Sequence, residues 1–499
     1  MSLLKKLAGE TAIYGISSIL SRLLNFVILT PYFTRVFLQG EYGIVSDLYT
    51  WVALLMIMFT YRMETAFFRY GSKDGEMDRA FSTASISLLV STVAFAGTML
   101  LFASEIARWL RYPGHPEYVI LFTSIIAMDA LAAIPFARLR LQNRPILFAV
   151  VKTGSIIINI LFIFFFLEGC PYLIEKGWSG LSAIYNPDNR IAYVFVSNML
   201  GSLFAVLVLL PAYFKLKLRF DATLWKQMIK YAWPLIIAGF AGIVNQLIGI
   251  PMIKELASSD IDYNLQQAGI YSAAAKLAVL MNLFTQAFNY AAEPFFFRNA
   301  SREDSVYIYA QVGQAFALVG SLAFLGIMLY IDIIQYFLGD DFREGIGVVP
   351  ILLLAYLFLG LFYNFSIWYK LADRTIIGGM IALGGSAITL SINYFLIPNP
   401  TIGYYGPAWA ALACYSFMAL TSYWTGQRYY PIHYPLGRIL LYIILAVGTY
   451  LFSVWLQNFL PGGLGTRLLV NTGLLLIYLS GIGVLERRLI RRILKKKKG

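Results

Sequence analysis

Charged residues are sparse in this sequence, so those that interrupt its apolar stretches are the ones able to do chemistry. Arg22 lies 12 residues beyond Glu10, which at about 1.5 Å per residue places it roughly 18 Å down an apolar helix. Tyr14, Ser18, Ser21, Arg22 and Asn25 fall on one face of that helix, so a polar stripe is expected to look into a bundle. A guanidinium there offers a planar fork of donors that grips a phosphate-type anion bidentately. Its other use is a structural ion pair with an acid on a neighbouring helix. The cost of a cation in hydrocarbon favours function. Pro31, further along, is expected to kink the helix.

Other interruptions are paired or periodic. Lys276 stands about eight residues into an apolar stretch that also carries Asn282, Gln286, Asn289 and Glu293 at spacings of four, three and four, a polar seam along one helical face. Asp129 lies nine residues before Arg138 and Lys152 eight after Arg144, so on antiparallel neighbours they reach similar depth. A structural ion pair is the favoured reading, since pairing offsets both burial costs, with proton coupling through Asp129 a lesser one. Glu64 with Arg69, and Glu293 with Arg298, close two further stretches, either as a symmetric gate or as interfacial anchors with paired glutamates. Two cysteines, Cys170 and Cys414, and two histidines, His115 and His433, are too few for a metal centre. No G-x-x-x-x-G-K-[ST] loop is present for direct ATP hydrolysis, and no cofactor is expected.

The elements that must hold these residues are membrane helices. The chain has 499 residues, 59% of them hydrophobic and only 13% charged, against about 25% charged in an average soluble domain. That excludes a soluble multi-domain enzyme. Apolar stretches long enough to span a bilayer fall at 11–34, 44–63, 81–103, 118–137, 146–167, 191–213, 228–252, 268–292, 306–330, 346–366, 376–397, 406–425, 438–457 and 466–485. The expectation is an all-α polytopic membrane protein of about 14 transmembrane helices. Lys5 and Lys6 precede the first stretch as in a signal peptide, but Arg22 and Asn25 interrupt its core and it is expected to stay uncleaved.

The net charge of +13 resolves into a topology. Sorting the 39 basic residues into alternating loops puts 27 on the side of both termini and 8 on the other, so both ends are expected in the cytoplasm. Nucleic acid is not needed to explain the surplus. The tail from Glu486 to Gly499 is a polybasic juxtamembrane segment, a topogenic anchor attracted to anionic lipid.

The second half of the chain echoes the first. Gly43-Ile-Val-Ser46 matches Gly269-Ile-Tyr-Ser272, offset 226, and Glu64-Thr-Ala-Phe-Phe-Arg69 matches Glu293-Pro-Phe-Phe-Phe-Arg298, offset 229. Arg140-Leu-Gln-Asn-Arg144 matches Lys370-Leu-Ala-Asp-Arg374, offset 230. Six helices separate each pair, so the repeats run parallel, related by an axis along the membrane normal. Two six-helix lobes, 1–220 and 221–430, are expected, followed by two additional helices and the basic tail over 431–499. Substrate is expected between lobes that rock to give alternating access.

This layout resembles the polysaccharide-transport branch of the multidrug/oligosaccharidyl-lipid/polysaccharide exporter superfamily. The local likeness lies in Ser21-Arg-Leu-Leu-Asn-Phe-Val-Ile-Leu-Thr-Pro-Tyr-Phe-Thr-Arg-Val-Phe-Leu-Gln-Gly-Glu-Tyr-Gly-Ile44, in Gly269-Ile-Tyr-Ser-Ala-Ala-Ala-Lys276 and in Tyr369-Lys-Leu-Ala-Asp-Arg374. The resemblance implies a bacterial inner-membrane flippase, not an enzyme, moving undecaprenyl-diphosphate-linked oligosaccharide (an O-antigen or exopolysaccharide unit) to the periplasmic leaflet, alongside other polysaccharide-assembly proteins. Arg22 and Lys276 would then neutralise the diphosphate, with Asn25, Asn282, Gln286 and Asn289 lining the path, the seam binding sugar hydroxyls or else serving as interhelical glue. A lipid II flippase and a cation-coupled multidrug antiporter are the related alternatives. Arg22 and Lys276 count against an antiporter for cations. A membrane glycosyl polymerase or ligase fits poorly, because the longest outer loop, about 168–190, is too short to hold an acceptor.

Overall fold

The computed structural model describes residues 23–183, 185–214, 219–372, 374–459 and 463–487. Among them every regular element is helical. A π-helical turn, Asn25–Leu29, leads into α1 (Thr30–Val36). Pro31 accounts for that turn: it has no N–H and its ring crowds the carbonyl of Val27, so the helical register widens. The same grammar recurs where α7 (Pro145–Phe164) passes through the π turn Phe165–Gly169 into α8 (Cys170–Glu175), whose second residue is Pro171.

Between these lie α2 (Gln39–Thr60), α3 (Met63–Gly71), α4 (Met77–Leu101), α5 (Ala103–Trp109) and α6 (Pro116–Leu141). The second expected stretch, 44–63, is corrected here. α2 stops at Thr60, and Tyr61 and Arg62 take left-handed conformations, φ 34° and 55°. Glu64 and Arg69 therefore sit on the separate helix α3, not at the end of the second span. Two successive non-glycine residues in that region are strained by on the order of 1–3 kcal/mol each.

The chain continues through α9 (Arg190–Phe214), α10 (Ala222–Leu247), α11 (Gly249–Leu256), α12 (Ile261–Arg298), α13 (Ser305–Leu329), α14 (Ile331–Ile334), α15 (Val349–Phe365) and α16 (Ile367–Leu371). It ends with α17 (Thr375–Leu396), α18 (Gly406–Tyr429), α19 (Leu436–Gln457) and α20 (Leu464–Leu485). α12 has 38 residues, about 57 Å at 1.5 Å each, longer than a bilayer with its headgroups.

Twelve helical segments among the described residues are long and apolar enough to cross a membrane, so this is a multi-pass membrane protein. Two expected stretches are not among the twelve. The first, 11–34, is described only from residue 23. The other, 406–425, is α18, which is long enough but rich in small and polar residues. Ala408, Ala410, Ala411 and Cys414 are buried, and Trp368 Nε1 donates to the Ser422 carbonyl at 3.0 Å. Its small residues let it pack closely on α15, while Trp409, Leu420 and Trp424 stay exposed.

The chain forms two compact units, residues 1–272 with 393–404, and residues 273–392 with 405–499. In the first, α3, α4, α6 and α10 share a core of Met63, Phe67, Phe81, Leu88, Ile134 and Met228. A second core, Phe136, Phe148, Val151 and Leu209, joins α6, α7 and α9. In the second unit, α15 packs on α18, and α13 on α15 and α19. Polar bonds stitch the two last helices to α13 and to each other. Asn471 Nδ2 donates to the Leu329 carbonyl at 2.6 Å, and Glu486, almost fully buried, accepts from Tyr442 Oη at 2.6 Å.

Candidate functional site

Arg22, the leading cation of the sequence, lies outside the described residues, as do Tyr14, Ser18 and Ser21. Asn25 opens the π turn, and its Oδ1 is buried with no hydrogen-bond partner among the described residues. On α7, Asn159 has a buried Oδ1 in the same state. An acceptor shut away unsatisfied costs about 1–3 kcal/mol, so both are sites where a donor would bind favourably.

Lys276 is exposed, while Ala273, Ala274, Leu277 and Ala278 around it are buried. It has no ion-pair partner among the described residues. One and a half turns on, buried Asn282 accepts from Gln286 Nε2 at 3.1 Å, so part of the seam is spent within the helix. Asn289 is half-buried. Glu293 accepts from Lys370 Nζ at 2.9 Å, and Arg298 bonds back to the Pro294 carbonyl of its own helix at 3.4 Å. Glu293 is thus joined to the third repeat motif instead of to Arg298.

The first repeat copy has the corresponding neighbours. Arg62 and Arg140 both act on Glu64, Arg62 from 3.9 Å, while Arg69 lies over the Tyr231 ring at 4.3 Å. Burial nevertheless holds the Glu64 carboxyl above its ordinary range, outweighing the two arginines. Arg140 and Lys370 occupy equivalent positions 230 residues apart, as Glu64 and Glu293 do at 229.

Sequence reasoning did not single out Arg62. It follows Tyr61 at the left-handed break, and its guanidinium lies so close to Gly239 of α10 that a Cβ there would overlap it. Glu64, at 3.9 Å, is its sole ion-pair partner among the described residues, so most of its donors stay free for an anion. The signal was present in the sequence as a charge inside an apolar stretch.

Asp129 of α6 has Lys152 of α7 near enough to act on it and the Ser202 hydroxyl bonded to it. The Lys152 ammonium lies 4.4 Å from the centre of the Phe136 ring.

A stronger pair had no signal in the spacing. Lys254 of α11 donates to Asp47 Oδ2 of α2 at 2.6 Å and to the Leu110 carbonyl at 3.0 Å. Tyr112 Oη donates to the same Oδ2 at 2.9 Å, and the ammonium stands 4.8 Å from that tyrosine's ring. Relative exposure is 1% for Lys254 and 0% for Asp47, so the charges are shut off. Burial and the adjacent carboxylate raise the Tyr112 phenol well above its usual range, which keeps it a donor. Arg111 and Glu255 pair beside it at 2.9 Å.

Comparison with known proteins places this geometry in context. A family model described as "Polysaccharide biosynthesis protein" matches residues 7–300. No protein of curated function matches the chain. A structure titled "Lipid II flippase MurJ, inward closed conformation" is 15% identical, with 96% of this chain and 99% of that one covered and a TM-score of 0.71. An outward-facing multidrug resistance MATE family transporter of the MOP superfamily is 12% identical, with 84% and 94% covered and a TM-score of 0.60. A MATE protein in the straight conformation is 12% identical, with 85% and 95% covered and a TM-score of 0.61. At such identities the likeness is one of fold.

Proposed function

We propose that this chain, which belongs to the polysaccharide biosynthesis protein family, is a flippase that carries lipid-linked oligosaccharide across the bacterial inner membrane by alternating access. The cargo is an undecaprenyl-diphosphate-linked repeat unit of O-antigen or exopolysaccharide, and both termini are cytoplasmic. The observation that carries the reading is Lys276, an ammonium with no ion-pair partner among the described residues, on a membrane-crossing helix whose adjoining residues are buried. Such a cation is costly unless an anion uses it. Arg62 adds a second, loosely held cation in the first unit, and Arg22 a third in the sequence. Cationic rather than acidic positions suit a diphosphate head and disfavour a cationic drug.

Cells carrying Arg22→Ala or Lys276→Ala should lose surface delivery of glycan at unchanged protein abundance in the membrane. Full delivery by both variants would overturn the assignment of these residues. A second reading, lipid II as cargo, is favoured by the likeness over 96% of the chain to a lipid II flippase structure. Depleting the protein and identifying the lipid-linked intermediate that accumulates decides between them: a repeat-unit glycan supports the first reading, a peptidoglycan precursor the second.

A further inference from the structure

Beside the break between α2 and α3, the first unit has an open cavity of about 630 Å³. Met58, Val90, Phe95 and Phe220 line it and remain 44–64% exposed, so its mouth opens on the outer surface, between helices long and apolar enough to cross a membrane. The floor is polar but spent on itself. Tyr61 Oη and Ser87 Oγ lie 2.6 Å apart, and Trp225 Nε1 donates to Ser87 at 2.8 Å. What is left for a ligand is apolar wall, in a volume typical of a small-molecule site.

The same helix supplies charge. On α10, Trp225 and Ile229 face the cavity at i and i+4. Lys226 and Lys230, one residue further round, make a parallel stripe that is exposed and has no ion-pair partner among the described residues. An apolar slot walled by a helix that also carries two adjacent ammonium groups matches an amphiphile with an anionic head. Two ammonium groups suit the two phosphates of a diphosphate better than the single phosphate of a phospholipid. We propose that this cavity is a lateral site for a polyprenyl diphosphate, its chain beside Val90 and Ile229 and its phosphates on Lys226 and Lys230. The proposal rests on the lipid-linked cargo assigned above and names the place where the carrier's tail dwells.

The test uses the full chain in zwitterionic nanodiscs and a polyprenyl diphosphate bearing a photoreactive group on its chain, with labelled peptides mapped by mass spectrometry. Label should concentrate on the segments containing Met58, Val90 and Ile229. Unlabelled polyprenyl diphosphate should reduce it about tenfold, whereas phosphatidylglycerol at the same concentration should not. Val90→Trp, at an exposed wall position, should cut the label by a similar factor, Val90→Ala should retain it, and Lys226→Gln with Lys230→Gln should lower it. Label spread over other segments, equal competition by phosphatidylglycerol, or undiminished label in Val90→Trp would each overturn the site. If cells move lipid-linked glycan but the label maps elsewhere, the cavity assignment fails alone. If the label maps here but cells move no such glycan, the cargo assignment fails and the site stands.

Discussion

Gly43 of α2 and Gly269 of α12 hold matching places in the internal repeat, and they lie against each other. A Cβ on Gly43 would overlap the Leu265 carbonyl and stand 3.2 Å from Gly269 N; one on Gly269 would overlap the Gln39 carbonyl and stand 3.1 Å from Gly43 N. The contact is reciprocal: each glycine leaves room for the other helix's backbone. Small residues that let backbones meet drive helix association where lipid offers no hydrophobic advantage.

Gly43→Ala and Gly269→Ala should each destabilise the protein, because the obstructing atoms are backbone and cannot rotate aside. Overpacking of this kind costs about 1–3 kcal/mol. Gly242→Ala on α10 is the control: a Cβ there meets nothing within 4 Å, and removing a helical glycine should be neutral or slightly stabilising. Melting temperatures in nanodiscs report the difference. Equal behaviour of all three variants would refute the seam.

Asp47 and Lys254 yield a different pattern. Breaking a buried pair strands one charge, so Asp47→Ala or Lys254→Ala should cost about 3–5 kcal/mol. Replacing both, as Asp47→Leu with Lys254→Met, removes the stranded charge and should recover most of that loss. A double variant as unstable as the worse single one would show that the pair's geometry, not its charge, holds α2 and α11 together. Denaturation of the purified protein measures each arm.

Gly43 and Gly269 stand out in the sequence because the motifs they open match at an offset close to that of the other matched pairs, and the two lie in contact. The ion pair between Asp47 and Lys254 was not legible: 207 residues separate them, and by hydropathy Lys254 is an ordinary loop cation. Nor was the break at Tyr61 and Arg62, which carries neither glycine nor proline and is held by packing of α3 on α4, α6 and α10. Glu293 is an intermediate case. Its partner Lys370 was already visible in the third matched motif, but spacing along one helix pointed to Arg298.

That pairing is open to a charge exchange. Glu293 and Lys370 are partly exposed, so their bond is worth only about 0–1 kcal/mol and neither Glu293→Lys nor Lys370→Glu should move the melting temperature far. If the pair serves transport, each single variant should impair glycan delivery and the exchanged double variant should restore it. Glu64→Lys with Arg140→Glu is the equivalent exchange in the first repeat. Impaired delivery that the exchange does not restore would assign the two residues separate roles.

A last expectation concerns pH. Asp221 caps α10: its Oδ1 accepts from Leu224 N at 2.8 Å, and its Oδ2 accepts from Arg79 Nε at 2.8 Å. The backbone bond first, and then Arg79, hold this carboxyl below its ordinary range. A carboxylate favoured by the folded state adds stability that is fully present above its unfolded pKa, about 3.9, and that is lost as pH falls through the lowered folded value. The first turn of α10 should therefore open more often below about pH 4. Hydrogen exchange of a peptide starting at Arg219, corrected for intrinsic rates, should show protection falling over that window. Asp221→Asn retains an acceptor for Leu224 but cannot titrate, so its profile should be flat and lie near the acid limit of the natural protein. Identical profiles for the two would mean that the carboxylate does not govern the start of the helix.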